Sequence, residues 1–163
     1  MCLDLALLAA HITDMSSSST LTPFTYPRVG IGVMILREGK VLLGRRKGSH
    51  GAGDYSFPGG HFELNESFEA SALREIVEEC GEGLKIKNLR FICCANFRKE
   101  YTPKHYVQVG FAADWVAGEA INTEPEKLEN WGWYDLNKLP TPLFAPARVM
   151  VELFQKGEVY QDQ

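Results

Sequence analysis

The stretch from Gly59 to Gly81 constrains this chain more than any other, because it joins a glycine turn to an amphipathic helix. It reads GGHFELNESFEASALREIVEECG, with Asn65 and Ser67 as candidate N-caps and Gly81 as the residue that ends the helix. At about 100° per residue, one arc of the helix is apolar and its neighbour is acidic. The apolar arc holds Ala72, Leu73, Ile76, Val77 and Cys80, and the acidic arc holds Glu75, Glu78 and Glu79. We expect the first arc in the core and the carboxylates beside it.

Glutamates at positions i, i+3 and i+4 repel one another, at a cost of roughly a few tenths of a kcal/mol for each exposed pair. A helix selected only for stability would place lysines among them, and none is present in this helix. Oxygen ligands suit Mg²⁺ or Mn²⁺, and Mg²⁺ is commonly held by one or two carboxylates together with substrate phosphates. The alternative is a solvated acidic face, which is the usual role of a run of charge. The surrounding residues decide between the two.

Those residues follow a known order. Gly60 is followed after five residues by Glu66, and after seven more by REIVEECG, which runs from Arg74 to Gly81. This order resembles the Nudix box, the signature of hydrolases that act on nucleoside diphosphates linked to another group. One position departs from it, because Glu82 stands where the box has an aliphatic residue. The departure lies at the end of the helix and affects the loop geometry more than the carboxylates.

The similarity extends beyond the box, over about Pro27 to Lys156. The segments GVMIL, VLLGRRKGS, FPGGH and EPEKLENWGWYDLNKLPTPLF resemble MutT-type nucleotide diphosphatases of eukaryotes. The resemblance implies a Nudix-type α/β/α sandwich with a mixed sheet, Mg²⁺ as the cofactor with Mn²⁺ as a substitute, and a homodimer. It also implies that the metal is held by Glu75, Glu78, Glu79 and the carbonyl of Gly60.

Two charged pairs flank this expected centre. We expect Arg74 and Glu66 to form an ion pair that orients the helix and the turn. Arg45 and Arg46 end a strand and point to opposite faces, so at most one of them contacts phosphate, and we favour Arg46. For each arginine the alternative is a solvated side chain.

Three further residues are candidates for substrate contacts. His61 follows the glycine turn and is either a phosphate or base contact or a structural turn residue. Glu126 is a candidate outer carboxylate, since the family often draws one from this region, or else a solvated loop residue. Phe144, with Leu143 and Ala145, is expected to form a wall for a base, facing Phe57 or Tyr106.

Length and charge limit the function classes. The 163 residues suit one domain, which we place at 27–163, with 1–26 as a peripheral or disordered extension. Its LALLAA run is too short to span a bilayer, so no membrane association is expected. A net charge of −4 argues against a nucleic-acid polymer as partner. The four cysteines lack metal or redox spacing, which predicts reduced thiols and a cytoplasmic protein.

Hydrophobic patterning predicts an α/β fold. Strands are expected at 29–36, 40–44, 86–94, 106–115 and 131–134, with a hairpin turn at 37–39. Apolar residues at helical spacing predict a second helix over 145–155. Strands interleaved with two helices give a sandwich with a mixed sheet.

The leading hypothesis is Mg²⁺-dependent hydrolysis of a nucleoside triphosphate to a nucleoside monophosphate and pyrophosphate, with 8-oxo-dGTP among the candidates. One of the three glutamates, or a carboxylate outside the box, would deprotonate the attacking water. The alternative substrates are other diphosphates: NADH, a sugar nucleotide or an isoprenyl diphosphate. A Nudix-fold binding module without catalysis is a third hypothesis, disfavoured because Glu75, Glu78 and Glu79 are all present.

Overall fold

The structure is a computed structural model that describes residues 26–47, 50–98 and 104–162. Residues 1–25, which make up nearly all of the expected N-terminal extension, lie outside these ranges. Within them the chain forms seven strands and two helices: β1 (Arg28–Arg37), β2 (Lys40–Arg46), β3 (Tyr55–Ser56), α1 (Phe68–Cys80), β4 (Lys85–Phe97), β5 (Tyr106–Ala117), β6 (Leu128–Asp135), α2 (Ala145–Lys156) and β7 (Tyr160–Asp162). Neither described helix is long and apolar enough to cross a membrane.

The strands form one mixed sheet in the order β3-β2-β1-β5-β4-β7, with β6 also paired to β2. β1 and β5 run parallel at its centre, while β2 joins β1 through an antiparallel hairpin. The hairpin turn uses Glu38 at φ 50° and Gly39 at φ 76°, the positive angles that two-residue hairpins require. The hairpin and the mixed sheet expected from the sequence are both confirmed.

Alternation along β1 divides the core into two layers. Ile31, Val33 and Ile35 pack in a cluster with residues of α1, whereas Met34 packs with residues of α2. Because successive side chains of a strand point to opposite faces, the two helices cover opposite faces of the sheet. The α/β/α sandwich predicted from the sequence is therefore confirmed.

Helix α1 begins and ends as its sequence indicates, but it faces the core differently. Ser67 is the N-cap, and its Oγ accepts from the backbone N–H of Ala70 at 3.1 Å. Leu73 and Val77, which we expected in the core, are each 46% exposed. The buried face comprises Ser71, Ala72, Glu75, Ile76 and Cys80. The helix is rotated about its axis so that a carboxylate, rather than two aliphatic side chains, faces inward.

Other boundaries also differ from the expected ones. β4 continues to Phe97 because its pairing with β5 continues to the Phe97 and Tyr106 positions. β6 starts at Leu128 instead of residue 131, since it pairs with the whole of β2. β7 was not expected, and its Tyr160 is exposed, so no apolar pattern marks it. Cys80, Cys93 and Cys94 are free thiols, as expected.

Replacing Ser67 with alanine tests the start of α1. Loss of the oxygen that accepts from Ala70 N–H should lower the free energy of unfolding by about 1 kcal/mol. Urea denaturation followed by circular dichroism measures this change. Ser67→Asp retains an acceptor and should stay near wild type, while an unchanged stability in Ser67→Ala would contradict the capping role.

Candidate active site

A cavity of about 640 Å³ opens beside the glycine turn. The acidic side chains that line it are Glu63, Glu75, Glu78, Glu79 and Glu124. Basic side chains line it as well, namely Arg28, Arg46, Arg74, Lys104 and Lys127. The apolar part is formed by Phe57, Leu128, Phe144, Pro146, Ala147 and Met150. A diphosphate linked to an apolar or aromatic group matches this division between charged and apolar walls.

The glycine turn lies against β1 like an additional strand. Ile31 N–H donates to Gly60 O at 2.8 Å, and Phe62 N–H donates to Val29 O at 3.0 Å. A Cβ at Gly59 would collide with the Ile31 carbonyl, and one at Gly60 would collide with the Glu75 carboxylate. Only glycines therefore allow the turn to fit between β1 and α1 with its backbone next to Glu75.

Arg74 connects the turn, the loop after it and the helix. Its Nε and one terminal nitrogen bind both oxygens of Glu66, at 2.7 and 3.1 Å. The other terminal nitrogen donates to Glu75 at 2.7 Å and to Glu78 at 3.0 Å. The guanidinium also reaches His61 O at 3.0 Å. The expected ion pair of Arg74 with Glu66 is therefore present, and it is bidentate.

These contacts set the charge states around Arg74. The Arg74 hydrogen bonds lower the pKa of Glu66 to about 2, so this carboxylate is ionised at neutral pH. Glu66, followed by its other acidic partners, raises the already high pKa of Arg74 further. Burial raises the pKa of Glu75, although the Arg74 contact opposes the effect. Arg74 is therefore a permanent cation held among carboxylates.

Glu79 lies on the inner side of the helix, against the turn. Its Oε2 accepts from the backbone N–H of Gly59 at 2.8 Å. Burial, helped by repulsion from Glu75 and Glu124, raises the pKa of Glu79 to about 8. Its backbone carbonyl accepts from the Trp131 indole N–H at 2.9 Å, which fixes this end of the helix to β6. The side chain is thus rigidly placed and poorly stabilised as an anion.

The three glutamates do not converge as the sequence suggested. Within the described residues, no three Asp, Glu, His or Cys side chains lie together as a group that could hold a metal ion. One terminal nitrogen of the Arg74 guanidinium binds both Glu75 and Glu78, whereas Glu79 accepts from Gly59 N–H. The donor chemistry still suits a divalent cation, because burial, and then repulsion from Glu75 and Glu124, destabilises Glu79 as an anion, and such a cation would stabilise it.

Arg46 and Arg45 separate as strand alternation predicts. Arg45 is exposed and pairs with Glu129 at 3.4 Å. Arg46 lines the cavity, donates to His50 O at 2.9 Å and lies over the Phe144 ring, 4.3 Å from its centroid. The cation and this aromatic ring therefore form one continuous part of the wall.

His61 and Tyr106 lie together on another part of the wall. Their ring centroids are 6.0 Å apart, and both residues line the cavity. Burial, then Arg28 and Lys104, lower the pKa of His61, so a neutral imidazole is favoured. Of the residues expected to contact a base, Phe57, Tyr106 and Phe144 line the cavity, whereas Leu143 and Ala145 do not.

Of the acidic residues in the loop before β6, Glu124 faces the cavity, and Glu126, which we expected as an outer carboxylate, does not. Glu126 is exposed and does not line the cavity, whereas Glu124 does. Residues 124–128 form a turn in which Lys127 N–H and Leu128 N–H both donate to Glu124 O. Because the chain turns here, the side chains of residues 124 and 126 point in different directions. Asn122 Oδ1 accepts from Glu124 N–H at 3.0 Å, and this Asx-type contact is the sequence signal for the turn.

The sequence also matches the model of a known protein family. The NUDIX domain model matches residues 26–154, which include every element of the site described above. The chain belongs to the Nudix hydrolase family. The fold predicted from the resemblance and the family itself are both confirmed.

Relatives with hydrolase names support this membership. The NAD-capped RNA hydrolase NudC of Edwardsiella ictaluri is 33% identical over 131 residues, covering 78% of this chain and 48% of that protein. The ADP-ribose pyrophosphatase of Methanocaldococcus jannaschii is 30% identical, covering 78% and 73%. The chain spans about half the length of the NudC proteins that it matches.

Solved structures agree with these sequence relatives. The crystal structure of a MutT NUDIX hydrolase from Burkholderia pseudomallei superposes with a TM-score of 0.73 at 34% identity. The match covers 78% of this chain and 98% of that one. Most of this Nudix chain therefore superposes on nearly all of that family member.

The raised pKa of Glu79 predicts an unusual stability profile for Glu79→Gln in metal-free buffer. Below its unfolded pKa, near 4.5, Glu79 is protonated in both states and costs nothing. Between about 4.5 and 8 the folded state retains a proton that the unfolded state releases, so wild-type stability falls as pH rises. Glu79→Gln should therefore be close to wild type at pH 4.5 and exceed it at pH 8 by up to about 4 kcal/mol.

Chemical denaturation at both pH values with EDTA measures the difference. Glu69→Gln, in the exposed first turn of the same helix, serves as the matched control and should show no such pH-dependent gain. A Glu79→Gln variant that is no more stable than wild type at pH 8 would contradict the electrostatic assignment.

Proposed function

We propose that the chain catalyses Mg²⁺-dependent hydrolysis of a diphosphate bond that links a nucleoside monophosphate to another group. The observation that carries this proposal is the placement of Glu75 and Glu79 beside the glycine turn, in a cavity that also carries cations and an apolar wall. Membership of the Nudix family supports it. Burial of carboxylates is costly, and a cation-binding role accounts for it.

Glu75, Glu79 and the carbonyl of Gly60 would hold the divalent cation, with Glu78 as a further ligand. Bound there, the cation supplies charge stabilisation at the phosphoryl oxygens and lowers the pKa of an attacking water. Gly60 O already accepts from Ile31 N–H, and its second lone pair remains for the cation. Arg74 keeps Glu66 and the His61 carbonyl fixed, which positions the glycine turn.

Proton transfer requires a carboxylate that can take a proton near neutral pH. Two side chains on the wall qualify by position, Glu79 within the box and Glu124 outside it. Glu124 accepts from Lys127 Nζ at 2.6 Å, and this contact orients its carboxylate. The other basic side chains on the cavity wall, including Arg46, neutralise the substrate phosphates.

The names of the relatives favour the alternative substrates over the nucleoside triphosphates of our leading hypothesis. They describe an ADP-ribose pyrophosphatase and hydrolases of NAD-capped RNA, and both substrates contain a diphosphate joined to two groups. We therefore place ADP-ribose and NADH first. NAD-capped RNA also leaves room for a polymeric substrate, despite a net charge of −4.

Nucleoside triphosphates, including 8-oxo-dGTP, are the second candidate. The observation that favours them is the number of basic side chains on the cavity wall besides Arg74, which matches the higher charge of a triphosphate: Arg28, Arg46, Lys104 and Lys127. Association into a homodimer, a cytoplasmic location and the use of Mn²⁺ stay predictions.

Product analysis of the purified chain with Mg²⁺ distinguishes these substrates. ADP-ribose would yield AMP and ribose 5-phosphate, NADH would yield two mononucleotides, and a triphosphate would yield a monophosphate and pyrophosphate. An isoprenyl diphosphate completes the panel and would release inorganic phosphate. We expect the fastest turnover with ADP-ribose and NADH, and no turnover of any substrate in the presence of EDTA. A folded chain that hydrolyses none of them would contradict the proposal.

Glu79→Gln should lower kcat/KM at least ~100-fold on whichever substrate is turned over, because it removes a charged ligand at the point where charge develops. Glu69→Gln on the same helix is exposed and should retain wild-type kinetics. Steady-state rates at saturating Mg²⁺ provide the measurement. Near-normal activity in Glu79→Gln would exclude this side chain from the metal site.

A further inference from the structure

The polar side chain of Gln108 lies in the middle of the sheet, on the floor of the cavity. It belongs to β5 and lies opposite Gly30 of β1, and two positions further along the same two strands Gly32 lies opposite Gly110. Gly30 and Gly32 line the cavity together with Gln108. Glycine inside a strand costs roughly 0.5–1 kcal/mol relative to alanine, so three at adjacent positions call for a physical reason.

For Gly30 and Gly32 the reason is the space that the Gln108 amide takes up. A Cβ on Gly30 would come within 2.9 Å of Gln108 Oε1, and a Cβ on Gly32 within 2.8 Å of Nε2. Gly110 has a different reason, because its Cβ would come within 2.6 Å of Cys93 Sγ. The amide therefore lies flat across the backbone of β1. A side chain at position 30 or 32 would push the amide away from this backbone.

The orientation of the amide is also set. Nε2 donates to the carbonyl of Val109 at 3.3 Å and lies 4.0 Å from Met150 Sδ. An amide flip would place Oε1 against the Val109 carbonyl, where two acceptors repel. Among the described residues no donor reaches Oε1, so this acceptor is presented to the cavity beside the apolar side chains of Ala147 and Met150.

We propose that Gln108 determines base specificity by accepting a hydrogen bond from an exocyclic amino group, which selects adenine over hypoxanthine. This inference rests on the proposed function, whose first substrates carry adenine. Gln is a residue that commonly pairs with the adenine amino edge, and apolar walls suit a flat ring. Hypoxanthine presents a carbonyl oxygen at the same position, which would face Oε1 with no hydrogen between them.

The test is calorimetric binding of AMP and of IMP to the full chain with Mg²⁺, which does not depend on turnover. We expect wild type to bind AMP at least about tenfold more tightly than IMP, as one good base contact provides. Gln108→Leu should bring the ratio close to one. Gly30→Ala should do the same with Gln108 still present, because the new Cβ displaces only the flexible amide end.

Gln155→Leu, an exposed glutamine on α2, is the matched control and should keep the wild-type ratio. Equal binding of AMP and IMP by wild type, absence of AMP binding, or an unchanged ratio in Gln108→Leu would overturn the inference. If AMP is preferred but no diphosphate is hydrolysed, the inference stands and the proposed function fails. If diphosphates are hydrolysed but AMP and IMP bind equally well, the proposed function stands and the inference about Gln108 fails.

Discussion

The guanidinium of Arg74 is the contact on which the site depends. It binds Glu66, Glu75, Glu78 and the carbonyl of His61, and so fixes the glycine turn, the following loop and α1 to one another. Bidentate pairing in a partly buried place is stronger than a surface ion pair and specifies geometry as well as energy. Without it, Glu75 would face the turn with no cation beside it.

Glycines make the close packing of this region possible. The turn approaches β1 and Glu75 only because Gly59 and Gly60 lack side chains, and the Gln108 amide lies across β1 only because Gly30 and Gly32 lack them. Each glycine weakens local structure, and the surrounding sheet offsets the loss with its two packed cores. The two packed core layers therefore supply most of the stability, and the site lies where glycine backbone takes the space that side chains fill elsewhere.

The sequence predicted the turn, helix α1, the hairpin, the mixed sheet and the Arg74 pair with Glu66, because each rests on local chemistry or a fixed motif. It did not predict that Leu73 and Val77 would be exposed, since periodicity identifies an apolar arc but not which arc faces a buried carboxylate. Strand β7 pairs through its backbone and leaves no pattern. Gln108 in an alternating strand looks solvent-facing, although glycines at 30 and 32 signalled close approach.

Divalent-ion binding by the carboxylates beside the glycine turn can be observed by anomalous diffraction from crystals grown with Mn²⁺ and a non-hydrolysable ADP-ribose analogue. We expect a manganese peak bound by Glu75 and Glu79 next to the Gly60 carbonyl, with Arg74 still paired to Glu66. An analogue seated in the cavity with no manganese at these side chains, or with manganese elsewhere, would contradict it.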